Sequence, residues 1–138
     1  MSYLLFSFPD TTFHPLTEVQ FTSEYAWISY SLFIRVGTPQ IISVGRFGTC
    51  EFPDGNYIYT GSARRNMLAR LNRHLRQSKK LRWHIDYLLA APSVVIHKVL
   101  VSTLPECELV AAGGGQVVLA GFGASDCRCG CGSHLRKL

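Results

Sequence analysis

The sequence predicts an α+β domain with a small, largely antiparallel sheet. Short runs rich in β-branched and aromatic residues indicate strands, and leucines at helical spacing indicate helices. The predicted order is strand, strand, helix, helix, strand, helix, and most of the links are short. This order and these links favour an α+β architecture.

In the first half of the chain, clusters of Gly and Pro separate the predicted strands. Strands are predicted at residues 27–36, 41–44, 48–52 and 56–60, of which the middle two form a short hairpin. Side chains alternate along a strand, so Tyr57 and Tyr59 are expected on one face. The first 26 residues show no clear period. They are predicted to be an N-terminal extension packed on a domain that spans residues 27–138.

The second half carries the predicted helices, at residues 67–76, 82–90 and 105–112. Asn66 is a candidate cap for the first helix, Pro92 stops the second and Pro105 starts the third. Arg70 and His74 stand four residues apart on the first helix and therefore share a face. Further strands are predicted at 93–101 and 117–120. The segment Gly61-Ser62-Ala63 is predicted to end the strand at residues 56–60. The Gly-rich and Cys-rich segment 121–138 is expected to be an irregular tail.

Composition favours a cytoplasmic globular protein. The chain has 138 residues, of which 47% are hydrophobic, enough for a core of its own. Its apolar runs are too short for a membrane helix, and its first residues lack the features of a signal peptide. No membrane partner is therefore predicted, and the expected state is a monomer or a weak dimer.

The positive charge is concentrated in one segment. Of the fourteen Lys and Arg residues, eight fall between Arg64 and Arg82, with no Asp or Glu until Asp86. A solvated helix face is the ordinary explanation of a charge run, but such faces usually mix the two signs. Clustered cations neutralise phosphates, so the segment predicts nucleic-acid binding. Besides Arg70, the candidate contacts are Arg64, Arg65, Arg73, Arg76, Lys79, Lys80 and Arg82.

Five blocks of the sequence follow one another in order: GNYIYTGSA from Gly55, RLNRHLR from Arg70, WHIDYLL from Trp83, Glu106-Cys107, and GFGASDCRC from Gly121. Together they resemble a subfamily of GIY-YIG nuclease-like domains, which occur alone or fused to DNA-repair enzymes. The resemblance runs from about Trp27 to the end of the chain. It implies a three-stranded antiparallel sheet flanked by helices, and a metal-dependent endonuclease that hydrolyses DNA phosphodiesters in repair or processing.

Carried over residue by residue, the resemblance implies a catalytic set of Tyr59, Arg70 and His74, with Glu106 as the ligand of one Mg²⁺ or Mn²⁺ ion. Tyr30 is the candidate for the family's first tyrosine. Ile28 stands where the family has glycine, and 28 residues separate the two tyrosines. A hairpin inserted at residues 41–52 would leave the two tyrosine-bearing strands adjacent.

The predicted chemistry follows from these side chains. Arg70 can fork onto two phosphate oxygens, and Glu106 can hold a hydrated Mg²⁺, although Glu108 competes for that role. An arginine and a divalent cation beside a phenol favour its ionised form, so the pKa of Tyr30 is expected to fall next to both, and Tyr30 is expected to act as the base. Tyr59 and His74 would then orient water or phosphate. The simpler alternative is that the tyrosines only pack in the core.

Other residues are candidates for supporting roles. His84, Asp86 and Ser62 are predicted to position the catalytic groups, and for Asp86 an ion pair with a nearby arginine or a helix cap is an equal alternative. If catalysis is absent, the chain is a nucleic-acid-binding module of the same fold. DNA is the expected partner, RNA is the alternative, and a companion repair protein would supply specificity.

The five cysteines do not form a disulfide pattern, since their number is odd and three are spaced one residue apart. Zinc at Cys127, Cys129, Cys131 and His134 is the less favoured interpretation. Structural zinc sites usually take ligands in pairs separated by a longer loop, which a Cys-x-Cys-x-Cys run does not provide. Small thiols in a tail packed back on the active face are the expected alternative.

Overall fold

A computed structural model describes residues 3–8, 14–22, 27–123 and 130–138 of the chain. Within these ranges the protein is an α+β fold with a mostly antiparallel sheet and three helices. The strands are β1 (Tyr3–Ser7), β2 (Ser29–Val36), β3 (Gln40–Val44), β4 (Gly48–Phe52), β5 (Gly55–Ser62), β6 (Val94–Ser102), β7 (Gln116–Val117) and β8 (Leu135–Lys137). The helices are α1 (Met67–Leu75), α2 (His84–Leu89) and α3 (Glu106–Gly113), and a 3₁₀ turn spans Gly45–Phe47.

The main sheet has six strands in the described ranges, not the three that were expected. Their order is β1-β6-β2-β5-β8-β7, and each neighbouring pair is antiparallel. Two strands come from segments without a strand pattern. β1 belongs to the stretch predicted as an extension and pairs with β6, and β8 belongs to the stretch predicted as an irregular tail and pairs with β5. Backbone pairing with an existing sheet edge forms these short strands, so their own sequences need not show a period.

The hairpin predicted between the two tyrosine-bearing strands is confirmed. β3 and β4 pair with each other in a separate two-stranded sheet. β2 and β5 therefore lie side by side, in a register that sets Tyr30 opposite Gly61 and Leu32 opposite Tyr59. Pairing continues through Ser62, because Ser29 of β2 lies opposite it, so the predicted end of β5 at Thr60 is wrong.

The core fills the space between one face of the main sheet, the helices α1 and α2, and the hairpin. Alternate residues of β2 enter it from the sheet, and each fully buried aliphatic side chain stabilises the fold by roughly 1.5–3 kcal/mol. The completely buried apolar members include Leu32, Ile34, Val36, Phe52, Leu71, Ile85 and Leu88. The helix α3 contacts β2 and β5.

The ends of the helices differ from the prediction in detail. Asn66 occupies the predicted N-cap position of α1, and its carbonyl oxygen accepts from Arg70 N at 3.0 Å, but its φ is a left-handed 55° and its side chain makes no capping bond. At the other end, Lys79 Nζ donates to the carbonyl oxygens of Arg73 (3.0 Å) and His74 (2.5 Å). This contact satisfies two of the carbonyls that a helix leaves unpaired at its C-terminus. None of the helices described is long and apolar enough to cross a membrane.

Candidate active site

The two tyrosines and the histidine of the predicted set lie together on the core face of the sheet. In the β2–β5 register Tyr30 faces Gly61, so Tyr59, two residues earlier, projects on the same side. α1 packs on that side and brings His74 to both rings. Its ring centre is 5.4 Å from that of Tyr30 and 6.2 Å from that of Tyr59. The Tyr30 hydroxyl and His74 Nε2 share a hydrogen bond of 2.7 Å.

Arg70 lies one turn before His74 and is held by two contacts. Its Nη1 donates to the Ser62 carbonyl oxygen at 3.1 Å, and its guanidinium carbon lies 4.8 Å from the centre of the Trp83 ring. The guanidinium is also close enough to Tyr30 to hydrogen-bond its hydroxyl and to favour its ionised form. Arg70 is therefore fixed beside both the phenol and the end of β5.

Trp83 is the site residue that sequence reasoning did not single out. Arg73 lies over its ring at 4.2 Å, in addition to Arg70, and the His74 ring centre is 5.7 Å away. An arginine over an indole is attracted by the negative face of the ring. The sequence does show a tryptophan directly after the basic segment 64–82, but its position in the chain does not indicate which arginines it contacts.

Glu106, the first residue of α3, is close enough to Tyr30, Tyr59 and Arg70 to interact with them electrostatically. Its Oε1 lies 2.8 Å from His134 Nδ1, and its side chain is 28% exposed. Burial alone would raise the pKa of the Glu106 carboxyl, but hydrogen bonds from His134 and Ser62 and the charge of Arg70 hold it below its ordinary value. The carboxylate is thus anionic at neutral pH, and the Ser62 side chain lies beside it.

Two glycines make room for the tyrosine rings. A Cβ at Gly61 would lie 2.5 Å from the Tyr30 hydroxyl and 2.6 Å from Cζ, because the ring crosses the backbone there. A Cβ at Gly123 would lie 2.8 Å from Cε1 of Tyr59, and its φ of +67° favours glycine as well. The space that the two tyrosine rings occupy therefore explains why residues 61 and 123 are glycines.

Replacing Gly61 with alanine is expected to lower the free energy of unfolding by about 1–3 kcal/mol, since the buried Tyr30 ring must move. Urea unfolding measures this change, and the Tyr30–His74 hydrogen bond should weaken with it. Gly37→Ala is the matched control, because its Cβ would come no closer than 3.3 Å to the Ser93 carbonyl oxygen. Equal losses for the two variants would contradict this explanation.

Without a metal ion, the pKa of Tyr30 is not lowered as predicted for a phenol beside both an arginine and a divalent cation. Burial raises the pKa of Tyr30 well above its ordinary value, and the neighbouring Tyr59 raises it further, while Arg70 opposes both effects. Burial likewise raises the pKa of Tyr59, with Glu106 and Asp86 adding to the effect. Tyr30 is 2% exposed and Tyr59 8%, so desolvation of the phenolate outweighs the guanidinium.

His74 is neutral at physiological pH. Its burial, assisted by the charges of Lys79, Arg73 and Arg70, lowers its pKa to about 3. Its Nδ1 is buried and has no hydrogen-bond partner in the part of the chain described. The imidazole can therefore exchange a proton with Tyr30 through Nε2 without carrying a charge at rest.

The pH dependence of stability should report this histidine. Below the unfolded-state pKa of about 6.5, the unfolded chain binds a proton that the folded chain, with a pKa of about 3, does not. The free energy of unfolding should therefore fall by about 2 kcal/mol between pH 7 and pH 5 through His74 alone. Urea titrations of wild type and His74→Gln at both pH values measure it. The same decrease in both proteins would exclude His74 as its source.

The predicted nucleic-acid contacts divide into two groups. Arg73 and Lys79 make intramolecular contacts: Arg73 pairs with Asp86, and Lys79 caps α1. The remaining candidates are exposed: Arg64, Arg65, Arg76, Lys80 and Arg82. A polar groove of about 470 Å³ lies between Arg73, Arg76, Ser78, Lys79, Lys80 and Arg82. Its lining is positively charged, and two of its arginines, Arg73 and Arg82, also lie over the Trp83 ring.

Asp86 is the buried anion that holds this basic segment together. It is fully buried and accepts bonds from Arg73 Nη1 (3.0 Å) and Nη2 (2.9 Å) and from the backbone N–H groups of Arg82 and Trp83. Asp86 therefore forms an ion pair with a nearby arginine and caps α2, which was one of the two alternatives predicted for it. Its partner is Arg73, and not Arg70 or His74. His84 instead fixes the backbone position of Gly123, because Gly123 N donates to His84 Nδ1 at 3.1 Å.

The predicted zinc set falls partly outside the described residues, because Cys127 and Cys129 belong to the undescribed segment. The described part of the tail is bonded to the sheet, in which β8 pairs with β5. Thr60 N donates to the carbonyl oxygen of His134, and the buried Ser133 hydroxyl donates to that of Phe122. His134 thereby reaches Glu106, a contact that no spacing in the sequence indicates.

Fold and site together define an α+β protein in which two phenols, an imidazole, a guanidinium and a carboxylate meet at the end of a central strand. The chain belongs to the family described as domain of unknown function DUF123, whose model matches residues 29–138. No curated protein and no solved structure matches it significantly. The matched range contains all five side chains of the site.

Proposed function

We propose that the protein is a GIY-YIG-type endonuclease that hydrolyses DNA phosphodiester bonds with one divalent metal ion, in repair or processing. The observation that supports this proposal is the convergence of Tyr30, Tyr59, Arg70, His74 and Glu106 from four separate elements. In this proposal β5, β2 and β6 form the family's three-stranded sheet, and β1, β8 and β7 extend it.

Arg70 is the proposed phosphate ligand. Its charge acts on both Tyr30 and Glu106, and the carbonyl of Ser62 and the ring of Trp83 hold it in place. A planar guanidinium donates two parallel bonds to phosphoryl oxygens and stabilises the charge that develops on them. Holding the guanidinium rigid before the substrate arrives strengthens this effect.

Tyr30 and His74 are the proposed proton-handling pair. With the imidazole proton on Nδ1, His74 Nε2 accepts the phenol proton while Tyr30 Oη accepts one from the attacking water. A phosphate bound at Arg70 offsets the cations that lower the pKa of His74, so substrate binding makes the imidazole more basic. Tyr59, beside the same imidazole, orients the water or the phosphate.

Glu106 is the proposed ligand of Mg²⁺ or Mn²⁺. Its carboxylate is anionic and partly exposed next to Arg70, and carboxylate oxygen is the donor class that both ions prefer. Bound there, the ion would supply charge stabilisation for the phosphoryl oxygens and the leaving oxygen. One oxygen of Glu106 is engaged by His134, and the carboxylate has further lone pairs for a metal.

The alternative is a binding module of the same fold that docks nucleic acid without cutting it. A specific observation favours it: Tyr30, Tyr59 and His74 are nearly or completely buried, and the phenols resist ionisation. In that case the exposed cations Arg64, Arg65, Arg76, Lys80 and Arg82 carry the function by contacting the phosphate backbone.

A cleavage and binding panel separates the two functions. The protein is incubated with plasmid, nicked duplex, branched DNA and single-stranded RNA, with Mg²⁺, with Mn²⁺ and with chelator. Nicking or cutting that requires the metal supports the endonuclease. Salt-dependent binding without cleavage of any substrate supports the module, and absence of both would exclude nucleic acid as the partner.

A further inference from the structure

A second cluster of side chains lies beside the candidate active site and is not used by the proposed chemistry. It consists of Cys107 on α3 and Cys131 and His134 in the C-terminal segment. Their ligand atoms, two sulfurs and a ring nitrogen, all lie within 4.8 Å of one another. Cys107 and Cys131 are partly buried and His134 is buried, and neither cysteine is in a disulfide.

These ligands are of the type that zinc selects. Two thiolates and an imidazole occur at tetrahedral zinc sites, where sulfur and nitrogen bind at about 2.3 Å and 2.0–2.1 Å from the ion. Donors around a tetrahedral ion are therefore separated by about 3.5–3.8 Å. The three atoms need to close by about an ångström or less to reach that separation. Three ligands on one short Cys-x-Cys-x-Cys loop are poorly placed around a tetrahedral ion. This objection does not apply here, because Cys107 belongs to a helix that is distant in the sequence from Cys131 and His134.

His134 is oriented in the way that metal-bound histidines usually are. Such a histidine commonly donates its other ring N–H to a carboxylate, which fixes the tautomer and strengthens the ligand. Here His134 Nδ1 lies 2.8 Å from Glu106 Oε1, and a metal bound through Nε2 would leave that contact intact. The backbone of His134 is fixed as well, since its carbonyl oxygen accepts from Thr60 N at 3.0 Å.

We propose that Cys107, Cys131 and His134 bind one zinc ion, with a water molecule or an external ligand in the fourth position. Each thiol releases its proton to solvent as it binds. The ion would fasten the segment that contains β8 to the start of α3, where Glu106 lies. Since Leu135 pairs with Tyr59 in the sheet, the same ion would fix the positions of two side chains of the candidate active site.

Metal analysis of the full chain tests the proposal independently of any nuclease activity. The protein is purified under reducing conditions without a histidine tag, and its zinc content is measured by mass spectrometry. One equivalent of zinc per chain is expected, either as isolated or after reconstitution. Replacement of zinc by Co²⁺ should give thiolate-to-cobalt charge-transfer absorption and the ligand-field bands of a tetrahedral ion.

Variants identify the ligands. Cys107→Ser and Cys131→Ser should each weaken zinc binding at least tenfold and reduce the charge-transfer absorption, whereas Cys50→Ala, a cysteine buried elsewhere in the core, should leave both unchanged. If a serine variant does not fold, chelation of the wild type decides: its melting temperature should fall and recover when zinc is returned. Less than one equivalent after reconstitution, an unchanged cobalt spectrum in Cys107→Ser, or a melting temperature indifferent to chelation overturns the proposal.

Discussion

Replacement of Arg70 by alanine is expected to lower the single-turnover rate of DNA cleavage by about 10²–10³-fold, the usual effect of removing one preorganised donor from a developing oxyanion. Arg70 is held by the Ser62 carbonyl and the Trp83 ring, beside Tyr30 and Glu106. Its loss would remove the proposed bidentate contact with the phosphate, while the exposed cations would still bind the backbone. Measuring cleavage at a protein concentration that saturates the DNA separates the effect on the cleavage rate from any effect on DNA binding.

Two control variants make the result specific. Arg70→Lys keeps the charge but loses the planar fork, so its rate should lie between those of wild type and Arg70→Ala. Arg64→Ala removes an exposed arginine outside the contacts of the site, and it should weaken binding and its salt dependence while the rate from the bound state stays the same. If Arg70→Ala and Arg64→Ala behave alike, Arg70 is one more backbone contact and not part of the reaction.

Replacement of Asp86 by asparagine is expected to lower the free energy of unfolding by about 3–5 kcal/mol, as breaking a buried ion pair from one side generally does. Asp86 is fully buried, and its two oxygens accept four hydrogen bonds, two of them from Arg73. An amide cannot accept all four, and it leaves the guanidinium, whose side chain is only 14% exposed, without its counter-ion. Urea unfolding near neutral pH measures the loss.

A double-mutant cycle shows whether the loss comes from the pair. Arg73→Met removes the charge and keeps a long apolar side chain over Trp83, and combining it with Asp86→Asn should cost less than the sum of the single changes. Additive losses would assign the effect of Asp86 to its backbone bonds with Arg82 and Trp83 instead. A loss below about 1 kcal/mol for Asp86→Asn would contradict the importance of the pair altogether.

The parts of the site that the sequence predicts are those set by local geometry. Arg70 and His74 share a helix face because they are four residues apart, and β5 leads into that helix within a few residues. The adjacency of Tyr30 and Tyr59 could also be anticipated, once the intervening segment was interpreted as a hairpin that folds away from the main sheet.

The rest depends on long-range packing that no local pattern carries. β1 and β8 form by pairing with edges of the main sheet, so neither segment needs a strand pattern of its own. His134 reaches Glu106 only because β8 lies beside β5. The raised pKa of Tyr30 follows from its depth in the core, whereas the sequence shows only which charges are near it. The prediction therefore considered Arg70 and a metal ion without the burial that dominates in the protein alone.

Strand scission by wild type and Glu106→Gln, compared on the same branched or nicked DNA at saturating protein, tests the central claim most directly. The glutamine keeps the size of the side chain and removes the one anionic oxygen donor proposed for the metal. The account predicts Mg²⁺-dependent cleavage by wild type and none by the variant, with both proteins bound to the DNA. Cleavage at equal rates by both, or binding by wild type without any scission in Mg²⁺ or Mn²⁺, would contradict it.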